Sequence, residues 1–366
     1  MRMKICFLGN AESVHTQRWV RCFAAKGHDI HLLSFSYEPI EDVSVHKIPK
    51  ITRFRVIAFP FRVYQIRKII GRIHPAILHV HTVSPLGIYG AFLGFHPLVL
   101  TAWGSDVLIG PKQSKLFKYV VEYALKKADC VTCDAEHMIG VLTELGVNPE
   151  KINPIYFGTD TRKFSPEQRS NTPKEELGIL HSPVIISLRS LEPIYDVESL
   201  IKAVPLVLNE IPSTTFIIAG DGSQKAELKG LAESLGISDS IRFVGFIPND
   251  ELPQYLASSD VYVSTSLSDA GLAASTAEAM ACGLPVIVTD FGDNSKWIKD
   301  DINGFVVPTK SPETLASKII YLLQHEDKKR EFGQAGRKVI EERNNYEREM
   351  GKMEKLYNEL IERYRR

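Results

Sequence analysis

Residues 266–290, SLSDAGLAASTAEAMACGLPVIVTD, hold the residue types best suited to binding an anionic ligand. A strand is predicted to end near Ser266, and a helix is predicted to follow a loop of mostly small residues. The free N–H groups and partial positive charge of a helix N-terminus suit a diphosphate. Glu278, one to two turns into this helix, offers a carboxylate to a ribose diol. The alternative is a small-residue helix packed on a sheet, with Glu278 on the surface. The loop and first helical residues are Ala270, Gly271, Leu272, Ala273, Ala274 and Ser275.

The elements that must position these residues alternate between apolar strand-like runs and helical patterns along the whole chain. The first half contains MKICFLG, DIHLLSF, AILHVH, PLVLTA and DCVTC; the second contains PVIISLR, STTFIIAGDG, SIRFVGF, DVYVSTS, LPVIVTD and NGFVVP. Short apolar strands separated by helices predict parallel sheets covered on both faces. We therefore predict two doubly wound α/β domains, with ligands beyond the carboxyl ends of the strands and an active site in the cleft between the domains.

The polar stretch 155–176, which contains two prolines, is the predicted linker between the domains. We expect an N-terminal domain over residues 1–165 and a C-terminal domain over residues 175–345. A final helix over 346–366 is expected to dock on the N-terminal domain, with an oligomerisation coil as the alternative. That helix is predicted from apolar residues at spacings of three and four, namely Tyr346, Met350, Met353, Tyr357, Leu360 and Tyr364.

Length, charge and cysteine content limit the classes of protein to which this chain can belong. A length of 366 residues fits two domains, and 44 basic against 44 acidic residues argue against a nucleic-acid partner. Residues 1–170 carry 22 Lys/Arg and 14 Asp/Glu, and the remainder carries 22 and 30, so one half is suited to an anionic partner. Cys130 and Cys133 form C-x-x-C, for which we predict packing in a strand and a reducing cytoplasm. The run Ile5–Leu8 is too short for a signal peptide, so a cytoplasmic location is expected.

The segment 47–74 interleaves Lys and Arg with large apolar residues and contains no acid. Part of it must be core helix. The rest is predicted to lie peripherally on an anionic membrane surface, with a solvated face or a site for an acidic acceptor as the alternatives.

Several motifs resemble retaining glycosyltransferase family four, also described as glycosyl transferases group 1. EAMACGLPV at Glu278–Val286 and NGFVVP at Asn303–Pro308 carry the resemblance most strongly. GTDTRKFSP at Gly158–Pro166, FIIAGDGS at Phe216–Ser223 and the run Arg242–Ser266 extend it. The likeness covers nearly the whole C-terminal domain and is weaker over the N-terminal one, which in that family carries the variable acceptor site.

The resemblance implies the GT-B fold, with two Rossmann-like domains facing across a cleft, and an enzyme of the hexosyltransferase type. The donor would be a nucleotide-diphosphate sugar of UDP or GDP, used as a substrate without any cofactor or metal. The sugar would pass with retention to a glycan or lipid-linked acceptor, as in polysaccharide biosynthesis. Glu278 would hold the donor ribose, the backbone of Gly271–Ser275 would cap the diphosphate, and Gly245 and Phe246 would accept the base.

Departures from the family pattern affect the donor site. Ala270 stands where the family has the first Glu of Glu-x7-Glu, and we predict that the adjacent Asp269 substitutes for it. Arg189 matches the family arginine that follows the first strand of the C-terminal domain. The family lysine position falls in Pro193–Tyr195, where no lysine stands; Lys225 could contribute, although a solvated surface position is the stronger interpretation.

In the N-terminal domain, Trp103 replaces the histidine that is common in the family. Trp cannot transfer a proton but can stack on a sugar or base. Asp106 is the nearest titratable group, and a buried helix cap is the alternative for it. His15 joins Asp269, Trp103 and Asp106 as a catalytic candidate, with capping or packing as the alternative for His15. We also place Asn10, Arg18 and His81 in the cleft.

These departures keep two other functions open. One is a catalytically weakened GT-B subunit that binds nucleotide sugars as the partner of an active enzyme. The other is a sugar-nucleotide epimerase, which is disfavoured because its acid and base carboxylates have no clear counterpart in this sequence.

Overall fold

The computed structural model describes residues 2–49, 55–267 and 271–365. Within these ranges the chain forms thirteen β-strands. They are β1 (Lys4–Leu8), β2 (Asp29–Ser34), β3 (Ser44–Lys47), β4 (Ile77–Val80), β5 (Leu98–Ala102), β6 (Cys130–Cys133), β7 (Ile152–Pro154), β8 (Val184–Ser187), β9 (Thr215–Ala219), β10 (Ile241–Gly245), β11 (Val261–Ser264), β12 (Val286–Thr289) and β13 (Gly304–Val307).

Sixteen α-helices lie within the same described ranges. They are α1 (Val14–Ala25), α2 (Arg55–Ile73), α3 (Leu86–Leu93), α4 (Ser105–Leu108), α5 (Gly110–Gln113), α6 (Lys115–Lys127), α7 (His137–Glu144), α8 (Thr172–Glu176), α9 (Val197–Glu210), α10 (Lys225–Ser234), α11 (Leu252–Ser258), α12 (Ala274–Ala281), α13 (Asn294–Trp297), α14 (Pro312–Gln324), α15 (Glu326–Arg343) and α16 (Tyr346–Arg365).

Two parallel sheets organise these elements. In the part of the chain described, the first sheet has seven strands in the order β3-β2-β1-β4-β5-β6-β7, and the second has six in the order β10-β9-β8-β11-β12-β13. The direction of strand succession reverses between β1 and β4 and again between β8 and β11. Such switch points leave a crevice beyond the carboxyl ends of the strands, where α/β proteins bind ligands. The predicted α/β class with two Rossmann-like domains is confirmed.

The central strands are buried on both faces because helices cover each side of their sheet. Every residue of β4 and of β8 is buried, and neither strand shows the alternation of a half-exposed strand. Leu78 and Val80 belong to the apolar core of the first sheet, and Ile185 belongs to that of the second. This burial fixes the register that sets the loops at the strand ends.

The chain divides into two compact units, residues 1–156 with 349–366 and residues 157–348. Residues 157–165, which the sequence placed in the N-terminal domain, pack within the second unit. There the Gly158 N–H donates to Asn344 Oδ1 over 3.1 Å, and Thr159 forms a β-bridge with Asn345. This short pairing is not visible in the hydrophobic pattern from which the boundary was drawn.

Helix α16 packs on the first unit from Glu349 onward. Met353 and Tyr357 are fully buried, and the Tyr357 hydroxyl shares a 2.5 Å hydrogen bond with His79 Nδ1. The apolar stripe along this helix is therefore an intramolecular docking face, although Tyr364 at its end is exposed. No helix within residues 2–49, 55–267 and 271–365 has the length and apolar composition needed to cross a membrane.

Candidate functional site

The predicted anion site of the second unit is built around a buried arginine. Arg189 follows β8 and is only 8% exposed. Its Nη1 donates to Ser275 Oγ over 3.4 Å and its Nη2 to Ser266 Oγ over 3.5 Å. The guanidinium also lies over the ring of Tyr195, with its central carbon 4.3 Å from the ring centroid. These contacts hold a cation between the end of β11 and the first turn of α12.

Helix α12 presents its N-terminal N–H groups at the same place. Ala273 precedes the helix and forms no side-chain cap. The N–H groups of a first helical turn have no partner within their own helix. The Tyr262 hydroxyl and Ser275 Oγ lie 2.8 Å apart in a hydrogen bond, which ties the helix start to β11. Glu278, in the second turn, is half-buried. A cation beside a helix N-terminus suits the binding of a diphosphate, because both present positive charge to the anion.

Two glycines allow the loop after β9 to pack against the segment that begins with Arg189. Gly220 has φ 138°, and a Cβ there would lie 2.4 Å from the Arg189 carbonyl oxygen. A Cβ at Gly222 would lie 2.3 Å from the Leu191 carbonyl oxygen. The Gly220 N–H donates to the Gly245 carbonyl over 2.7 Å, which places the predicted base-binding loop beside this turn. Phe246, next in that loop, is 81% exposed.

The other predicted donor residues fall in three groups. Gly271, Leu272 and Ala273 are half-buried and lead into α12, whose first residue, Ala274, is exposed. Lys225 forms a 2.8 Å ion pair with Asp221 one turn earlier, as the surface interpretation of this lysine requires. Asp269 and Ala270 lie outside the described residues.

The sequence did not single out Ser266 or Tyr262 as site residues, nor Tyr195. Tyr195 lies in the segment where the family lysine was sought, and it supplies an aromatic platform for Arg189. The sequence signal that could have identified these residues is the set of hydroxyl-bearing side chains along β11, at its end and at the start of α12. Their partners are set by the β8–β11 pairing, which no local pattern reveals.

The first unit has its own cavity, about 380 Å³, at the carboxyl ends of β1, β4 and β5. It brings together five residues predicted from sequence and does not include Arg18, although Arg18 acts electrostatically on His15. The lining residues are Asn10, Ser13, His15, Thr16, His81, Thr82, Ser84, Leu86, Trp103, Asp106 and Phe117.

Trp103 forms the aromatic wall of this cavity. Its ring lies 5.0 Å from that of His15, at an interplanar angle of 31°. Its Nε1–H donates to the His81 carbonyl over 2.7 Å, which fixes the ring orientation. A half-buried indole in this position can stack on the face of a sugar.

Asp106 holds the loops of the cavity together. One carboxylate oxygen accepts the N–H groups of Trp103 and Gly104, each over 3.1 Å, and the other accepts that of Val83 over 2.9 Å. Burial raises the pKa of Asp106, and these hydrogen bonds oppose the rise. The bonds favour the capping alternative, in which Asp106 positions Trp103 and does not itself transfer a proton.

The surroundings of both cavity histidines lower their pKa. His81 is 4% exposed, and its ring lies among the rings of Phe7, Trp19 and Trp103. Within the described residues neither ring nitrogen of His81 has a hydrogen-bond partner, and burial lowers its pKa to about 3. Desolvation, followed by the charge of Arg18, lowers the pKa of His15. A neutral imidazole can accept a proton or hydrogen bond from a hydroxyl.

Two further features bear on cofactor chemistry. Among the residues described, no group of three or more His, Cys, Asp and Glu side chains is placed to hold a metal ion. Cys130 and Cys133 are buried in β6, and burial raises the pKa of each to about 12. Both are therefore thiols that pack as small apolar groups.

Comparison with known families and proteins agrees with this architecture. The family described as Glycosyl transferases group 1 matches residues 169–339, and Glycosyl transferase 4-like matches residues 4–135. EpsD of Bacillus subtilis (strain 168), whose name assigns it to the glycosyltransferases, is 30% identical over 295 residues, 75% of this chain and 74% of its own length. N-acetyl-alpha-D-glucosaminyl L-malate synthase of Bacillus anthracis is 24% identical over 356 residues, 92% of this chain and 91% of that one.

Among solved structures, Anabaena Alr3699/HepE in complex with UDP superposes with a TM-score of 0.82 at 20% identity, covering 98% of this chain and 100% of that one. The two parallel-sheet Rossmann-like domains are those of the GT-B fold. The chain belongs to the glycosyl transferases group 1 family, and it is an enzyme of that class.

Proposed function

We propose that this protein transfers a sugar, with retention of anomeric configuration and without a metal ion, from a UDP- or GDP-sugar to a glycan or lipid-linked acceptor. The observation that carries the proposal is the position of Arg189 at the N-terminus of α12, held by Ser266, Ser275 and Tyr195. HepE, which shares the fold, has been solved with UDP and with UDP-glucose.

In the proposed donor complex the diphosphate accepts hydrogen bonds from Arg189 and from the N–H groups at the start of α12. Glu278 accepts the ribose hydroxyls, and the loop at Gly245 and Phe246 contacts the base. Phe246 is exposed enough to stack on a base. Asp269 is proposed to hold the donor sugar near the reacting carbon in place of the family glutamate.

The proposed chemistry needs little acid–base assistance from the protein. The bond between the anomeric carbon and the diphosphate oxygen breaks as the acceptor oxygen bonds to the same face of the sugar. The acceptor proton passes to the leaving phosphate oxygen. Arg189 and α12 stabilise the charge that develops on this leaving group, which is where preorganised electrostatics are most effective. This mechanism agrees with the absence of a proton-transfer group at the Trp103 position.

The first unit is proposed to bind the acceptor in the cavity beside Trp103, with a sugar ring on the indole and a hydroxyl near His15. The basic segment 47–74 is proposed to contact an anionic membrane surface. Residues 50–54 lie outside the described residues. In the described part of α2, Ile66 and Ile70 are core residues, whereas Lys68 and Arg72 are exposed.

A thermal-shift screen of UDP-, GDP- and ADP-sugars tests the donor assignment, because a ligand that binds the folded state raises its melting temperature. Turnover of the stabilising donor would then be followed by NMR in EDTA, with bacterial lipid extracts as acceptor. We expect an α-linked donor to give an α-linked product. An inverted product, or loss of turnover in EDTA, would overturn the mechanism; conversion of UDP-N-acetylglucosamine without acceptor would indicate an epimerase.

A further inference from the structure

Helices α2, α3 and α6 form one continuous outer surface on the first unit. Right-handed crossovers between parallel strands place them on the same face of the sheet, and α3 contacts both of the others. The ring of Phe92, at the end of α3, lies 5.2 Å from that of Phe59 on α2 and 5.3 Å from that of Tyr123 on α6. Side chains that point away from the sheet on α2 and α6 therefore face the same side of the molecule.

This surface exposes large apolar side chains to solvent. On α6, Leu116 is 73% and Tyr119 is 66% exposed, and on α2 Phe61 and Tyr64 are also exposed. Such groups are normally found singly on the surface of a soluble protein, whereas Leu116 and Tyr119 lie one turn apart on α6 and form an exposed apolar pair. Core packing cannot explain them, because the buried side of α6 is formed by Val121, Ala124 and Leu125.

The charge of the same surface is mainly positive. On α2, Lys68 and Arg72 are exposed. On α6, Glu122 is the acidic residue, and its carboxylate lies 3.8 Å from Lys118 Nζ. Lys115 and Lys118 flank the exposed apolar residues of α6, and both are exposed. Apolar side chains between cations fit an anionic lipid surface, where the former enter the headgroup region and the latter meet phosphate.

We propose that the first two turns of α6 are a second lipid-contacting element, in which Leu116 and Tyr119 enter the headgroup layer of an anionic membrane and Lys115 and Lys118 bind its phosphates. This extends the proposed lipid contact beyond the segment 47–74 to a separate helix. A merely solvated face would account for the lysines but not for the two large apolar side chains.

The position of this element has a consequence for the acceptor. Phe117, between the two exposed apolar residues, lines the cavity of the first unit. The turn that contacts lipid is thus also a wall of the proposed acceptor site. A lipid-linked acceptor would reach the cavity while its chains stay in the bilayer; this consequence rests on the proposed function.

Flotation of the full chain with liposomes tests the proposal, using phosphatidylcholine alone and phosphatidylcholine with 30% phosphatidylserine. We expect binding to the mixed vesicles only. Each cation near an anionic surface contributes about fivefold to partitioning, so Lys115→Gln with Lys118→Gln should weaken binding about 25-fold. Leu116→Ser with Tyr119→Ser should also weaken it, and the residual binding should be lost at higher salt.

Matched controls lie on the second unit. Leu206→Ser with Leu235→Ser removes two exposed leucines, and Lys328→Gln with Lys338→Gln removes two helix-surface cations. Both control pairs should bind vesicles like the unaltered protein. The thermal shift with UDP should be the same in all variants, so failure of the donor assignment would be seen separately.

Three outcomes would overturn the proposal. Absence of vesicle binding is the first. In the second, both α6 variants bind vesicles like the wild type, whereas Lys68→Gln with Arg72→Gln abolishes vesicle binding. That result would confine lipid contact to α2. The third is a dimer in sedimentation velocity that dissociates on Leu116→Ser with Tyr119→Ser, which would make this surface an interface between two copies.

Discussion

Replacing Arg189 by alanine tests the donor site most directly. The side chain is nearly buried, lies over Tyr195 and reaches Ser266 and Ser275, so its guanidinium has one well-defined position. A buried guanidinium at the N-terminus of a helix is suited to bind an anion, because both carry positive charge.

The size of the effect follows from the type of bond that is lost. A hydrogen bond between an ionised donor and an anion contributes about 1.5–3 kcal/mol, which is about 10- to 150-fold in affinity. The loss should appear in full for UDP or GDP. It should be close to zero for the free nucleoside, because uridine and guanosine carry no phosphate for Arg189 to bind.

Isothermal titration of UDP and uridine against both proteins measures this difference. Arg343→Ala is the matched control, because Arg343 also lies over an aromatic ring, 4.5 Å from that of Trp297, and donates to a backbone carbonyl. It should leave both affinities unchanged. An equal loss for UDP and uridine in Arg189→Ala, or no loss for either, would refute the assignment of a phosphate to this arginine.

Four further outcomes are expected. Gly220→Ala should destabilise the second unit by more than about 2 kcal/mol in urea unfolding, because its Cβ would collide with the Arg189 carbonyl at a positive φ; Gly230→Ala, with open space around it, is the control. Tyr262→Phe should cost about 1 kcal/mol through loss of the bond to Ser275, and wild-type stability would contradict this. Asp106→Asn should loosen Trp103, seen as altered tryptophan fluorescence, but should not abolish turnover; complete loss of turnover with native fluorescence would assign Asp106 a chemical role. Burial lowers the pKa of His81 to about 3 in the folded state, whereas the unfolded chain takes up a proton on this side chain below about pH 6.5. The free energy of unfolding should therefore fall between pH 6.5 and 3, by up to about 1.4 kcal/mol per pH unit. His81→Phe should flatten this dependence, and an unchanged slope would contradict it.

The sequence predicted the fold because its signal is local and repeated. Apolar runs of four to six residues, each followed by a helical pattern, specify buried parallel strands without knowledge of the partner strand. The stripe through Met353 and Tyr357 likewise identified a docking face, since one face of a helix cannot remain apolar without cover. The domain boundary near residue 157 was harder to predict from the sequence, because it depends on the pairing of Thr159 with Asn345, far along the chain.

The sequence predicted the parts of the candidate site whose chemistry depends on the type of a single residue. Predicted strand ends and helix starts were enough to locate Arg189, Glu278 and the small residues that lead into α12. Tyr195 and Tyr262 were missed because their value lies in contacts across the β8–β11 pair, with Arg189 and Ser275. Nothing in a single strand or helix records such a contact.

Asp106 and His81 show why residue type alone assigns roles poorly. Both were placed in the cleft from sequence, and both line the same cavity. Asp106 is surrounded by backbone donors that consume its lone pairs, so an acidic side chain has become a structural tie. His81 lies among aromatic rings that offer it no hydrogen bond, so a basic side chain has become a neutral one whose nitrogens a ligand hydroxyl could satisfy. The environment that decides between these outcomes is assembled from β1, β4 and β5 together. For this reason the roles of Asp106 and His81 in acceptor binding have to be measured on the folded protein.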